Sequence, residues 1–109
     1  MLVLCLQFCA NGCIGTTYND MPELIVSIAT LCREGRFADA VAAQKQANDV
    51  IEPLIASHGL ASTKQVLVWQ GLIDHPHCAA PRALLTVQEK SALRARLEKT
   101  VVGQSLVRD

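Results

Sequence analysis

The sequence is poor in aromatic residues and in charge, and its charges cancel. Aromatics are 4% and charged residues 18% of 109 residues, with ten basic and ten acidic side chains. So few rings argue against a base-stacking nucleic-acid surface. The cancelled charge leaves no field to draw the chain to nucleic acid or to an anionic membrane. The apolar stretch over residues 1–10 has no basic lead-in and is far too short to span a bilayer, so neither a secretory signal nor a transmembrane helix is expected. There is no CxxC pair, no phosphate-binding glycine loop and no serine elbow with partnered His and Asp. The most consequential lack is of a second strand. Residues 12–16 read as one short buried strand, and everything after them reads as helix. One strand cannot satisfy its own backbone donors and acceptors. The chain therefore reads as the tail of a larger parallel α/β protein.

What is present fits a piece of a larger core. Half the residues are hydrophobic, and the mean hydropathy is +0.26. That is apolar for a free-standing domain of this size, which has much surface per volume. The five cysteines are an odd number, and Cys5, Cys9 and Cys13 recur every four residues. Without a CxxC pair these are expected to be buried, reduced thiols rather than a disulfide framework or a metal site. They point to a reducing, cytoplasmic compartment.

Four to five helices are expected. Residues 2–9 read as the end of a helix, stopped by Asn11-Gly12. Asp20 is placed as an N-cap, with Pro22 in the first turn and Glu23 at the capping-box position. That helix carries Leu24, Ile28 and Leu31 on one stripe, with Ile25 beside them, and ends at Gly35. The next, over about 37–57, places Phe37, Val41, Gln44, Asn48, Ile51 and Ile55 on its buried face, with Pro53 as a kink. A third helix spans about 62–70 and is closed by Gly71. Residues 74–85 form an irregular connector. Thr86 and Glu89 then make a capping box for a last helix that turns Leu93 and Leu97 inward. The tail after Gly103 is expected to fray.

The order strand, Gly-Thr-Thr, helix, then three more helices resembles the C-terminal end of the N-acetylneuraminate lyase / dihydrodipicolinate synthase family. Ala10-Asn11-Gly12-Cys13-Ile14-Gly15-Thr16-Thr17-Tyr18-Asn19 is similar to the family's eighth strand. Glu34-Gly35-Arg36-Phe37 with Ala40, Gln44, Asn48 and Ile51, and then Lys64 with Leu67, resemble its helical extension. The likeness covers about residues 12–100. Thr16-Thr17-Tyr18-Asn19 and the pair Cys78 and Pro81 lean toward the lyase branch, although Ala79 stands where that branch has arginine. The resemblance implies an α/β fold, the C-terminal fragment of a (β/α)8 TIM barrel. Residues 1–34 would be a helix end and the last βα unit, and residues 35–109 a helical extension.

The resemblance also implies a chemistry. Family members are class I aldolases, in which a lysine amine forms a Schiff base with pyruvate or a 2-keto acid and a tyrosine moves protons. Neither a cofactor nor a metal is implied. Sites of such barrels lie at the C-terminal strand ends, which would put Gly15 and Thr16 against substrate, Gly15 by close backbone approach and Thr16 through its hydroxyl. No catalytic residue is assigned. Lys45, Lys64, Lys90 and Lys99 all fall on helical stretches and read as surface charge. Tyr18, after the strand, reads as structural. His75-Pro76-His77-Cys78 reads as a loop rather than a metal site, and His58 as a helix C-terminal residue.

The expected function is thus the C-terminal portion of a lyase that splits a sialic acid or related 2-keto acid into pyruvate and an amino sugar or aldehyde, incomplete as it stands. Its expected partners are the small-molecule substrate and copies of itself, as a tetramer in the family. A dihydrodipicolinate synthase-like or 2-keto-3-deoxy sugar acid aldolase fragment is one alternative. A non-enzymatic helical interaction module, or a truncated reading frame, is another.

Overall fold

The computed structural model describes residues Met1–Asp109. It contains five α-helices: α1 (Leu2–Gln7), α2 (Pro22–Arg33), α3 (Phe37–Ala56), α4 (Leu60–Trp69) and α5 (Val87–Leu97). Two short 3-10 turns, Thr16–Asp20 and Gly103–Ser105, complete the regular structure. There is no strand, so the α/β expectation for the chain itself is overturned. Residues 11–15 are irregular, Ile14 is fully exposed, and the 3-10 turn takes over at Thr16. The physical reason is the one that made the strand conspicuous: with no neighbour to pair with, water and a local turn satisfy the backbone instead.

The core is helical: α2 packs on α3, and α1 packs against both. Ile25 and Ile28 of α2 share one buried cluster with Ala40, Ala47, Val50 and Leu54 of α3, and α4 and α5 add Val66, Trp69, Leu93 and Leu97. The small residues Ala40 and Ala47 are fully buried, which lets the neighbouring backbones approach closely. Gly35, at φ +73°, makes the α2–α3 corner, where a left-handed residue costs least as glycine.

Several helix details depart from the expectations. The inward face of α3 is Ala40, Ala47, Val50, Pro53 and Leu54. The expected stripe lies largely on the other side, with Phe37, Val41 and Ile55 exposed. Alanines rather than the large residues form the helix contact, with Ala40 and Ala47 wholly buried. Helix α1 ends at Gln7, and Cys9, not Gly12, takes the left-handed turn at φ 63°. The cysteines at 5, 9 and 13 are exposed rather than buried, while Cys32 and Cys78 are half-buried. The cap of α2 is Met21 with no side-chain bond, so Asp20 is not a capping residue. The tail does not fray. Leu106 is buried, and the Arg108 amide donates to the Trp69 carbonyl at 2.8 Å. The capping box of α5 stands as expected, with Thr86 accepting from the Glu89 amide and Glu89 reaching back to the Thr86 amide.

Candidate functional site

The turn over Gly15–Asp20 begins with Gly15 in extended backbone (φ −171°, ψ 141°). The Tyr18 amide donates back to the Gly15 carbonyl at 3.1 Å, and the Asn19 side chain donates to the Thr16 carbonyl at 2.9 Å. These two bonds wind the chain so that Tyr18 folds over Gly15. A methyl group at Gly15 would come within 3.3 Å of the Tyr18 ring, which is the close approach that glycine permits here. Thr16 is exposed, its hydroxyl free of any protein partner, and Gly15 is half-buried. Burial and then the Cys13 thiol beside it raise the Tyr18 hydroxyl above the ordinary phenol value. Tyr18 is thus a packed side chain held in its protonated form.

Asp20 closes the turn and faces inward. It is 2% exposed, and neither carboxyl oxygen has a hydrogen-bond partner. On α4, the helix that the turn packs against, Thr63 is 1% exposed and its hydroxyl is likewise unpartnered. Burial pushes the Asp20 carboxyl up to about 7, and Thr63 acts in the opposite direction. The Asp20 carbonyl accepts from Gln70 Nε2 at 2.8 Å, and the same nitrogen reaches Ser105 Oγ at 3.0 Å. The turn is therefore tied to the end of α4 and to the tail. A cleft of about 280 Å³ opens beside it, with Asn19, Glu23, Gln70 and Ser105 among its lining residues.

The other singled-out residues lie elsewhere. Lys45 and Lys99 are exposed and Lys90 is half-buried. Lys64 is also half-buried, where it donates to the His77 carbonyl. None of them adjoins the Gly15–Asp20 turn in a bonded contact. His75 and His77 meet edge to face, ring centres 5.6 Å apart, and no group of three His, Cys, Asp or Glu side chains is placed to hold a metal ion. His58 contacts Glu89 at 2.8 Å rather than simply ending its helix. Sequence reasoning missed Asp20, Thr63 and Gln70 as a group. The signal was there in α4, whose Ser62, Thr63 and Gln65 are all buried. Polar residues on the inner face of an apolar helix need partners.

The architecture and site define an all-helical segment presenting one glycine-threonine turn beside a cleft of small-molecule size. The chain belongs to the dihydrodipicolinate synthetase family, whose model matches residues 1–100. It is similar to the N-acetylneuraminate lyase of Salmonella agona (strain SL483), 35% identical over 86 residues, covering 79% of this chain and 29% of that protein. The N-acetylneuraminate lyase of Enterobacter sp. (strain 638) is 33% identical over 96 residues, covering 88% of this chain and 32% of the relative. The chain thus spans about a third of the length of the curated relatives it matches. No helix is long and apolar enough to cross a membrane.

Proposed function

We propose that the chain is the C-terminal portion of a Schiff-base aldolase of the N-acetylneuraminate lyase type. In its complete form it would split a sialic acid or a related 2-keto acid into pyruvate and an amino sugar or aldehyde. The observation that carries this reading is the likeness to N-acetylneuraminate lyases over most of the chain, which includes the Gly15–Asn19 segment in the family match. In this reading Gly15 and Thr16 are the substrate contacts. The free Thr16 hydroxyl binds the polyhydroxyl part of the substrate, and Gly15 lets the backbone come close. Residues 1–34 carry that contact, and residues 35–109 are the extension that supports it. A homo-oligomer, a tetramer in the family, and a cytoplasmic setting with unbridged cysteines belong to the same proposal.

The chain's own residues do not supply the imine. Schiff-base formation needs a desolvated lysine with a lowered pKa. Lys64 is engaged with a carbonyl, Lys45 and Lys99 lie in water, and Lys90 is only half-buried on α5. Incubation with pyruvate and borohydride, followed by mass measurement, is expected to give no adduct; one adduct on one lysine would overturn the statement that the imine-forming residue lies elsewhere. The positive test is complementation. The chain, mixed with a Salmonella lyase shortened by the matching segment, should restore N-acetylneuraminate cleavage. Thr16→Val should raise KM more than it lowers kcat. Full activity of the shortened lyase without the chain, or none with it, would count against the proposal.

A second reading, a helical interaction module, draws on the apolar residues left on the outside. Phe37, Val41 and Ile55 on α3 and Val26 on α2 are all exposed. A clean monomer by size-exclusion chromatography would remove the reason for it.

A further inference from the structure

The turn that holds Gly15 and Thr16 is fastened to the rest of the molecule at Asp20, and the fastening is chemically incomplete if Asp20 is ionised. A carboxylate only accepts hydrogen bonds. Both Asp20 oxygens are shut away from water with no hydrogen-bond partner, and the Thr63 hydroxyl on α4 lacks one as well. An unpaired charge in such a place is among the costliest arrangements a fold can contain. A single proton removes the charge, and a neutral carboxyl costs far less to hold away from water than a carboxylate.

No cation is on hand to do the same work. Asp20 takes part in none of the ion pairs of the chain. On α4, the one ionisable side chain is Lys64, which is engaged with the His77 carbonyl. On α2, Glu23 lines the same cleft and has the same sign, and Arg33 is at the far end of the helix. Within the turn, Tyr18 lies against Cys13 and stays neutral. On the tail, Arg108 is turned to Asp74.

We propose that Asp20 is a positioning residue that works as a neutral acid: with its carboxyl protonated, the side chain stays buried and keeps the Gly15–Asp20 turn seated on α4. The Gln70 bond to the Asp20 carbonyl is the second anchor, made through the backbone and insensitive to the proton. Loss of the proton leaves a buried charge whose relief is to swing outward, and the turn moves with it. The link from the turn to substrate contact rests on the aldolase reading above; the protonation state of Asp20 and the mobility of the turn do not.

The test uses the full 109-residue chain and reads the proton directly. With isotope-labelled aspartate, the infrared carbonyl band of a buried protonated carboxyl should be present at about pH 5, lost by about pH 9, and absent from Asp20→Asn. Hydrogen exchange of the amides at 15–20, referenced to Asp20→Asn, should accelerate by about tenfold per pH unit between about pH 5 and 7 and then level off, because each opening releases one proton. Absence of the band at pH 5 would overturn the proposal, as would exchange in the wild type that follows Asp20→Asn throughout. These readouts involve no substrate, so failure of the lyase complementation would leave them standing, and their failure would leave the complementation interpretable.

Discussion

His58 Nε2 and Glu89 Oε1 lie 2.8 Å apart although 31 residues separate them in the chain. Glu89 also accepts from the Thr86 amide at 2.7 Å and from the Thr86 hydroxyl at 2.8 Å. One carboxylate therefore completes the cap of α5 and holds that helix to the corner between α3 and α4. Its hydrogen bond with His58, then the bonds from Thr86, lower the Glu89 carboxyl to about 2.

The sign of the pH effect follows from that depression. Stability from Glu89 is fully present above its unfolded value of 4.5 and is lost as the pH falls through about 2. Acid titration followed by far-ultraviolet circular dichroism should show this component in the wild type. Glu89→Gln should lack it, and an unchanged acid limb in that variant would contradict the assignment.

Thr86→Ala removes the other half of the box. It should destabilise the chain by about 1 kcal/mol, the usual worth of an N-cap, measured by urea unfolding. A change of only a few tenths would mean that water replaces the hydroxyl without cost.

Core substitutions should separate the two faces of α3. Leu54 is fully buried, and Leu54→Ala should cost about 2–5 kcal/mol through lost burial and the cavity left behind. Ile55, one residue later, is 66% exposed, and Ile55→Ala should stay within about 0.5 kcal/mol. The reverse order would restore the face expected from the sequence.

Gly15→Ala tests the contact beneath Tyr18. A methyl at 3.3 Å from the ring requires the ring to shift outward. The chain has one tyrosine, so ultraviolet titration of phenolate reports on this site alone. In the wild type the phenol should ionise above its ordinary value, and in the variant the value should fall back toward it as burial is lost. An identical titration in both would show that the ring accommodates the methyl in place.

How much of this was legible beforehand depends on where the determining interaction lay. The capping box of α5 is local, since Thr86 and Glu89 are three residues apart, and it was read correctly. The inward positions Leu93 and Leu97 follow from the same local register, and both are buried. The motif around Gly15 was enough to reach the family. The strand was not legible, because strand formation depends on partners and none lies in the chain. The face of α3 was missed because alanine contact depends on how near the neighbouring helix comes, which periodicity does not encode. Asp20 was misassigned for a related reason. Asp before Met-Pro is a plausible cap by composition, yet the turn packs against α4, 40 or more positions later, and buries the side chain.

The tail offers a practical consequence of a different kind. Arg94 stacks over the ring of Trp69, 5.4 Å from its centre, while its guanidinium donates to the carbonyls of Leu106 and Arg108. Trp69 is the one tryptophan of the chain and is 3% exposed. Its fluorescence is thus a built-in gauge of whether the last residues are seated, legible in a cuvette without any label.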